Sequence, residues 1–256
     1  MTDRKQTVPH PTGEYVFLPG IDPYSCGVIA APGWEIVHAT LDRPLPWHHG
    51  MLSIRSYLET IGRHRHALCG AELRCPAPYS MGDFIAFNTK YRALLDDWEM
   101  ILDNVNPLAR TNVAPVTNPP TEPMIHGFSY TSPNQNSPPT FVVAGAGELR
   151  EGALDSQGIV RRGETCADAM QEKAKYVVEV MRERQQGLGA ADESLTVIDV
   201  YTEHPLQHIL SDVIKPVLPA AARLGVHWYH TQPPVKEIEF EMDMRGVVQD
   251  IVLKLG

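Results

Sequence analysis

One order of segments occurs twice along this chain, and that repetition constrains the fold more than any single motif. In the first half, the apolar residues of 24–41 surround the turn signal Pro32-Gly33 and read as the two short strands of a β-hairpin. A helix follows over 50–62, where Leu52, Tyr57, Leu58 and Ile61 fall near helical spacing, and then a short strand over 71–75. The spacing of Phe84, Phe87, Tyr91, Leu94, Leu95, Trp98 and Leu102 predicts a second helix over 84–102, with Asp83 as its N-cap. The second half begins again with the β-branched run 140–149. A helix within 163–190 carries Ala167, Met170, Ala174, Val177, Val178 and Met181 on one face. A strand over 194–202, a proline-interrupted helical stretch over 206–225 and an alternating apolar and acidic segment over 235–248 complete the series. Period two in the last segment predicts a strand with one face in water. Such a chain reads as a duplicated α+β unit rather than a doubly wound nucleotide-binding fold. The expected units are residues 1–127 and 128–256. The proline-rich stretch 112–124 is compatible with a linker or with an extended edge strand and loop.

Charge narrows the ligand class. The formal net charge of -9 argues against a surface built for nucleic acid or anionic membranes, while leaving room for a local basic pocket that takes a small acid. The polar start of the chain has no apolar core of signal-peptide length, and no continuous apolar run is long enough to cross a bilayer. A cytoplasmic protein is expected. Cys26, Cys69, Cys75 and Cys166 form no CxxC pair, so reduced thiols are expected rather than a disulfide framework or a zinc ribbon. His227 and His230 in "VHWYH", with His48 and His49 elsewhere, lack the HExxH or paired-Cys context of zinc hydrolases, and no metal is expected.

Arg110, in "NPLARTNVAP" (106–115), is a lone cation among small and apolar neighbours. On an extended segment that pattern is by default a solvated charge, but it does not stand alone. "DPYSCGV" (22–28), "GDFIAFNTKYRALL" (82–95) and "PLARTNVAPVTNPP" (107–120) occur in an order that resembles the Rid (YjgF) family of small enamine and imine deaminases. "FVVAGAGEL" (141–149), the helix from 163, "VIDVYTE" (197–203) and "PPVKEIEFEMD" (233–243) resemble a second copy of the same unit. In that copy the position matching the arginine falls near Gly225, with Arg223 displaced, so the second copy is expected to lack the anion-binding cation.

The resemblance implies two tandem chorismate-mutase-like units, each a β-sheet packed with two helices, and a homotrimer whose six units form a pseudo-hexamer with clefts between them. It implies a reaction without metal or organic cofactor. Arg110 would grip a substrate carboxylate through paired hydrogen bonds. Tyr24 would line the same cleft, with Thr111 and Asn112 holding water or an amide nitrogen. The acid that positions water would be Glu239, or Glu241 one period along the same strand face; His230 would form a polar wall. The substrate class implied is an unsaturated amino-dicarboxylate of the 2-aminomuconate or 2-amino-5-chloromuconate type. A general 2-aminoacrylate-type deaminase and a noncatalytic ligand-binding protein are the alternatives. RNA cleavage, sometimes attached to this family, fits poorly with the acidic balance and the lack of an aromatic-basic track.

Overall fold

The computed structural model describes residues 6–136, 138–150 and 155–256. The first half runs β1 (Val8–Pro9), β2 (Tyr15–Leu18), β3 (Gly27–Ala30), β4 (Trp34–Pro46), α1 (Trp47–Thr60), β5 (Leu68–Arg74), α2 (Met81–Asp97), β6 (Ala109–Pro115) and β7 (Met124–Pro133). The second runs β8 (Phe141–Gly147), α3 (Ala167–Gly187), β9 (Val197–Tyr201), short helical turns between 207 and 224, β10 (His227–Tyr229), β11 (Thr231–Gln232), β12 (Glu241–Gly246) and β13 (Gln249–Leu253). Among the described residues no helix is long and apolar enough to cross a membrane.

These strands form two sheets, in the orders β1-β2-β3-β8-β12-β9-β10 and β11-β6-β5-β7-β4-β13. The duplication is visible in their centres. The series β6-β5-β7-β4 in one sheet matches β10-β9-β12-β8 in the other. In each, the first pair is parallel and the next two pairs are antiparallel. The α+β class read from the order of segments is the class observed.

Each sheet packs a helical layer on its outer face. Met170, Ala174, Val177, Val178 and Met181 of α3 lie in one buried cluster with Val143, Ile198, Val200 and Met242 of the first sheet. Met51, Ile54 and Leu58 of α1 and Phe87, Tyr91 and Leu95 of α2 lie in another with Ala39, Leu73 and Phe128 of the second. The inner faces meet across a small apolar patch that includes Phe17, Val28, Ile36, Ala109 and Ala144. Beside it lies a polar layer: Arg245 Nη1 donates to Asp199 (2.6 Å), Thr111 Oγ1 to Asp243 (2.6 Å), and Tyr201 OH to Asp243 (3.0 Å).

Three local expectations are corrected. The Pro32-Gly33 turn exists, with Gly33 at φ 85 and Trp34 N donating to Ala31 O at 3.1 Å, but it does not close a hairpin. β3 pairs with β2 and β8, whereas β4 pairs with β7 and β13. The turn instead hands the chain from one sheet to the other, so that Val28 and Ile36 meet face to face in the patch between them. The N-cap of α2 is Ser80, whose hydroxyl accepts from Asp83 N (3.2 Å) and donates to the Asp83 carboxylate (2.6 Å); Asp83 is the far member of a capping box. The segment 235–248 is strand only from Glu241, and all six residues of β12 are buried. Its acidic face looks onto the polar layer rather than onto water. The stretch 112–124 is the end of β6, a loop and the start of β7. The strand β7 itself runs through residues 127 and 128.

Under α3, Lys173 Nζ lies 3.0 Å from Glu148 Oε1 with both side chains fully buried, and Glu148 also accepts from Glu239 N (2.7 Å) and Phe240 N (3.0 Å). Burial pushes the Glu148 carboxyl up, and Lys173 opposes that shift. Lys173→Met is expected to cost about 3–5 kcal/mol of unfolding free energy in denaturant titration, because it leaves the carboxylate desolvated and uncompensated.

Candidate active site

The start of β6 is fixed to the loop before β3 by a side-chain clamp. Asn106 Nδ2 donates to Pro23 O (2.8 Å), its Oδ1 accepts from Leu108 N (3.0 Å), and Ser25 N donates to Leu108 O (2.8 Å). This brings Tyr24 over Arg110, whose guanidinium carbon stands 5.0 Å from the Tyr24 ring centre and 4.8 Å from that of Tyr91. Such stacking suits the weakly hydrated, planar guanidinium. Nη2 of Arg110 donates to Asn88 Oδ1 at 2.8 Å. Nη1 is buried and has no hydrogen-bond partner among the described residues. The residue is 2 % exposed, and burial pulls its ionisation down from the ordinary value while Tyr91, Tyr24 and Glu241 oppose that effect. A solvated surface charge is therefore not what the fold makes of it.

The strand pleat decides the roles of the next two residues. Asn112 lies on the same side as Arg110. It is buried, and among the described residues neither its amide nitrogen nor its amide oxygen has a partner. Thr111 points the other way and spends its hydroxyl on Asp243 between the sheets. Of the two candidates flanking the arginine, only Asn112 reaches the cavity.

That cavity has a volume of about 320 Å³ and is lined by Tyr24, Phe84, Arg110, Asn112, Arg184 and Glu241, among others. The size suits a small ligand. Glu241 enters from the first residue of β12, so the arginine comes from the first copy of the unit and the acid from the second. Burial pushes the Glu241 carboxyl well above the usual range, reinforced by Asp243 and Glu148 and opposed by Arg110 and Arg184. This acid keeps its proton to a higher pH than an ordinary glutamate, the condition for a proton donor. Room for it comes from Gly145: a Cβ there would sit 2.5 Å from Glu241 Oε1 and 3.0 Å from Thr111 Oγ1. Gly145→Ala should therefore displace the carboxyl end of a flexible side chain, with kcat falling at least tenfold in steady-state kinetics while the melting temperature moves little, a misplacement effect.

Glu239 and His230 lie elsewhere. Glu239 Oε2 is 2.9 Å from His204 Nε2, and its chain position is outside the cavity wall. The backbone of 237–240 is not yet strand, so the two-residue step from Glu239 to Glu241 does not preserve the face as it would within a ladder. His230 is exposed between β10 and β11, where its carbonyl accepts from Val116 N (3.2 Å). In the second copy the strand that matches β6 carries His227, Trp228 and Tyr229, with Trp228 paired to Val200 as Arg110 is paired to Ala71. Arg223 donates to Leu195 O instead (3.2 Å). Sequence reading missed Asn88 and Arg184. Asn88 shares the α2 face of Phe84 and Tyr91, and a polar residue on that stripe was a readable signal. Arg184 continues the stripe of α3 one step beyond Met181.

Comparison with known proteins meets this geometry from outside. A family model described as 2-aminomuconate deaminase CnbZ matches residues 7–251. The chain is 36% identical over 249 residues to the 2-amino-5-chloromuconate deaminase of Comamonas testosteroni, covering 94% of this chain and 96% of that protein. Among solved structures, a chorismatase aligns with a TM-score of 0.45 and 9% identity over 87% of this chain and 77% of that one. The YjgF gene product from E. coli aligns with a TM-score of 0.28 and 12% identity, over 43% of this chain and 81% of its own. The family match runs from the strand before Tyr24 past Glu241, and so spans every residue that walls the cavity; this chain belongs to the 2-aminomuconate deaminase family.

Proposed function

We propose that the protein deaminates a 2-amino unsaturated dicarboxylate of the 2-aminomuconate or 2-amino-5-chloromuconate type, in the degradation of aromatic compounds, releasing the 2-oxo or 2-hydroxy acid and ammonia. The observation that carries this reading is the pair of buried groups, Arg110 Nη1 and the Asn112 amide, which have no hydrogen-bond partner among the described residues and face the same cavity as Glu241, whose carboxyl burial pushes well above the usual range. Buried polar atoms left without partners call for an explanation, and where they face a cavity a ligand's polar groups supply one.

The chemistry follows from those groups. Arg110 binds the carboxylate next to the amino carbon, and Tyr24 flanks the guanidinium that holds it. The Glu241 carboxyl protonates the enamine carbon, which makes the amino-bearing carbon an iminium. Water then adds to that carbon as the Glu241 carboxylate takes its proton. The regenerated carboxyl passes a proton to nitrogen, the C–N bond breaks, and the hydroxyl proton returns to the carboxylate. The balance is enamine plus water to oxo acid plus ammonia, with Glu241 restored. Asn112 is placed to hold the water or the amine through both ends of its amide. No step requires an electron acceptor or a metal.

The test is ammonia release, together with the ultraviolet change, when freshly generated 2-aminomuconate, with and without a 5-chloro group, meets the protein. Turnover is expected on at least one of the two. Activity on 2-aminoacrylate alone would replace the substrate class. Binding without ammonia release from any of them would return a noncatalytic protein. The same reading includes a homotrimer in the cytoplasm. Light scattering is expected to give three times the 28.5 kDa chain mass.

A further inference from the structure

The charge lining the cavity exceeds what one carboxylate requires. Arg110, Arg150 and Arg184 all line it, against the acids Asp22 and Glu241. Asp22 is already engaged with Arg92, 2.6 Å away. Glu241 shares the wall with both Arg110 and Arg184, and burial disfavours the charged form of its carboxyl. Arg110 and Arg184 enter from opposite layers: the first from β6 in the second sheet, the other from the last turn of α3 on the first. Arg184 is half-buried and fixed in place, its Nη1 donating to the carbonyls of Ala144 (3.1 Å) and Gly145 (3.2 Å). Those carbonyls belong to the strand segment that lies beneath Glu241. Its charge reaches the same groups as that of Arg110, since both act on Tyr24 and on Glu241. Arg150 is exposed.

From this arrangement we infer that Arg184 is a second anion anchor, which binds the carboxylate at the far end of the substrate and so selects dicarboxylates over monocarboxylate enamines. The inference rests on the deaminase reading for its substrate but not for its geometry. A conjugated dicarboxylate is a rigid rod with a charge at each end. A site that presents a fixed guanidinium from each of two layers holds such a rod in one orientation, with the reacting carbon beside Arg110 and Glu241. A monocarboxylate engages Arg110 alone and gains nothing from Arg184.

The experiment uses the full chain and separates binding from turnover. In calorimetry, wild type is expected to bind unreactive cis,cis-muconate more tightly than the monocarboxylate sorbate. Arg184→Met, which keeps much of the apolar stem, is expected to weaken muconate roughly ten- to hundredfold, the loss of a charge-assisted contact, and to leave sorbate unchanged. In kinetics, the same variant should raise KM for 2-aminomuconate with a smaller effect on kcat, so that the kcat/KM preference for 2-aminomuconate over 2-aminoacrylate falls at least tenfold. Equal weakening of both ligands, no weakening of either, or transfer of the effect to Arg150→Met would overturn the inference. A melting temperature within a few degrees of wild type, together with unchanged sorbate binding, excludes simple misfolding. Failure of the deaminase reading looks different: muconate preference would persist without ammonia release.

Discussion

Glu241→Gln is expected to lower kcat by about 10²–10⁴-fold, the range supplied by a positioned acid or base. The cavity should still bind ligand. The amide has nearly the shape of the carboxyl it replaces, and burial, Asp243 and Glu148 all disfavour the charged form of that carboxyl. Loss of turnover with retained muconate binding separates proton transfer from packing; equal activity in both proteins would remove Glu241 from the mechanism. The pH dependence has a definite sign. The folded carboxyl titrates well above 4.5, so between its unfolded and folded values the native state holds more protons than the unfolded one, and stability falls as pH rises through that window. Asp243 shifts in the same direction and remains in the variant. The difference in unfolding free energy between Glu241→Gln and wild type should therefore grow in favour of the variant from mildly acidic to mildly alkaline solution. A flat difference would show that the carboxyl titrates as an ordinary acid.

Arg110→Ala is expected to cost on the order of 2–5 kcal/mol in kcat/KM, the range for truncating one member of a desolvated charge pair. Arg110→Lys should recover only part of this, since an ammonium has neither the planar face stacked between Tyr24 and Tyr91 nor the fork for a carboxylate. The unliganded protein should respond in the opposite direction. Arg110 carries a buried charge with one nitrogen unpartnered, so Arg110→Met is expected to raise the melting temperature in the absence of ligand and to abolish the stabilisation that muconate gives wild type. A lower melting temperature in Arg110→Met would assign the residue a structural role.

The sequence carried the elements better than their partnership. The periodic positions of α2 and α3 were legible because each helix packs its stripe against its own sheet, a local matter; in α1 the buried stripe is Met51, Ile54 and Leu58, of which the spacing picks out only Leu58, and Ile61 is exposed. The turn at Pro32-Gly33 was legible as a turn, but turn chemistry fixes only a reversal, not whether the flanking strands pair or part. The alternation from Glu239 to Arg245 was misread for a physical reason. Period two reports that one face is polar, and a polar face satisfied by water has the same spelling as one satisfied by Thr111, Tyr201 and Asp199. That ambiguity also hid which glutamate enters the cavity. Arg110 and Tyr24 were singled out by their flanking segments and both line the cavity, whereas Thr111 and Asn112 were read alike and only the pleat of the folded β6 tells them apart. Arg184 was not, because an arginine near the end of a helix is ordinarily a favourable partner for the helix dipole.

The sheets exchange their margins: β2 and β3 lie beside β8, while β13 runs parallel to β4, with Gln249 opposite Val37. For a chain made from its N-terminus at about 5–20 residues per second, this imposes a schedule. The leading strands emerge long before β8 exists to receive them, and the edge of β4 waits for nearly the whole polypeptide. Neither half has all of its strand partners until the other is made, and the cavity is assembled among the last features, when Glu241 joins an Arg110 made long before. Expression of either half alone should thus yield aggregation rather than a smaller enzyme, and separated halves should regain activity only when refolded together.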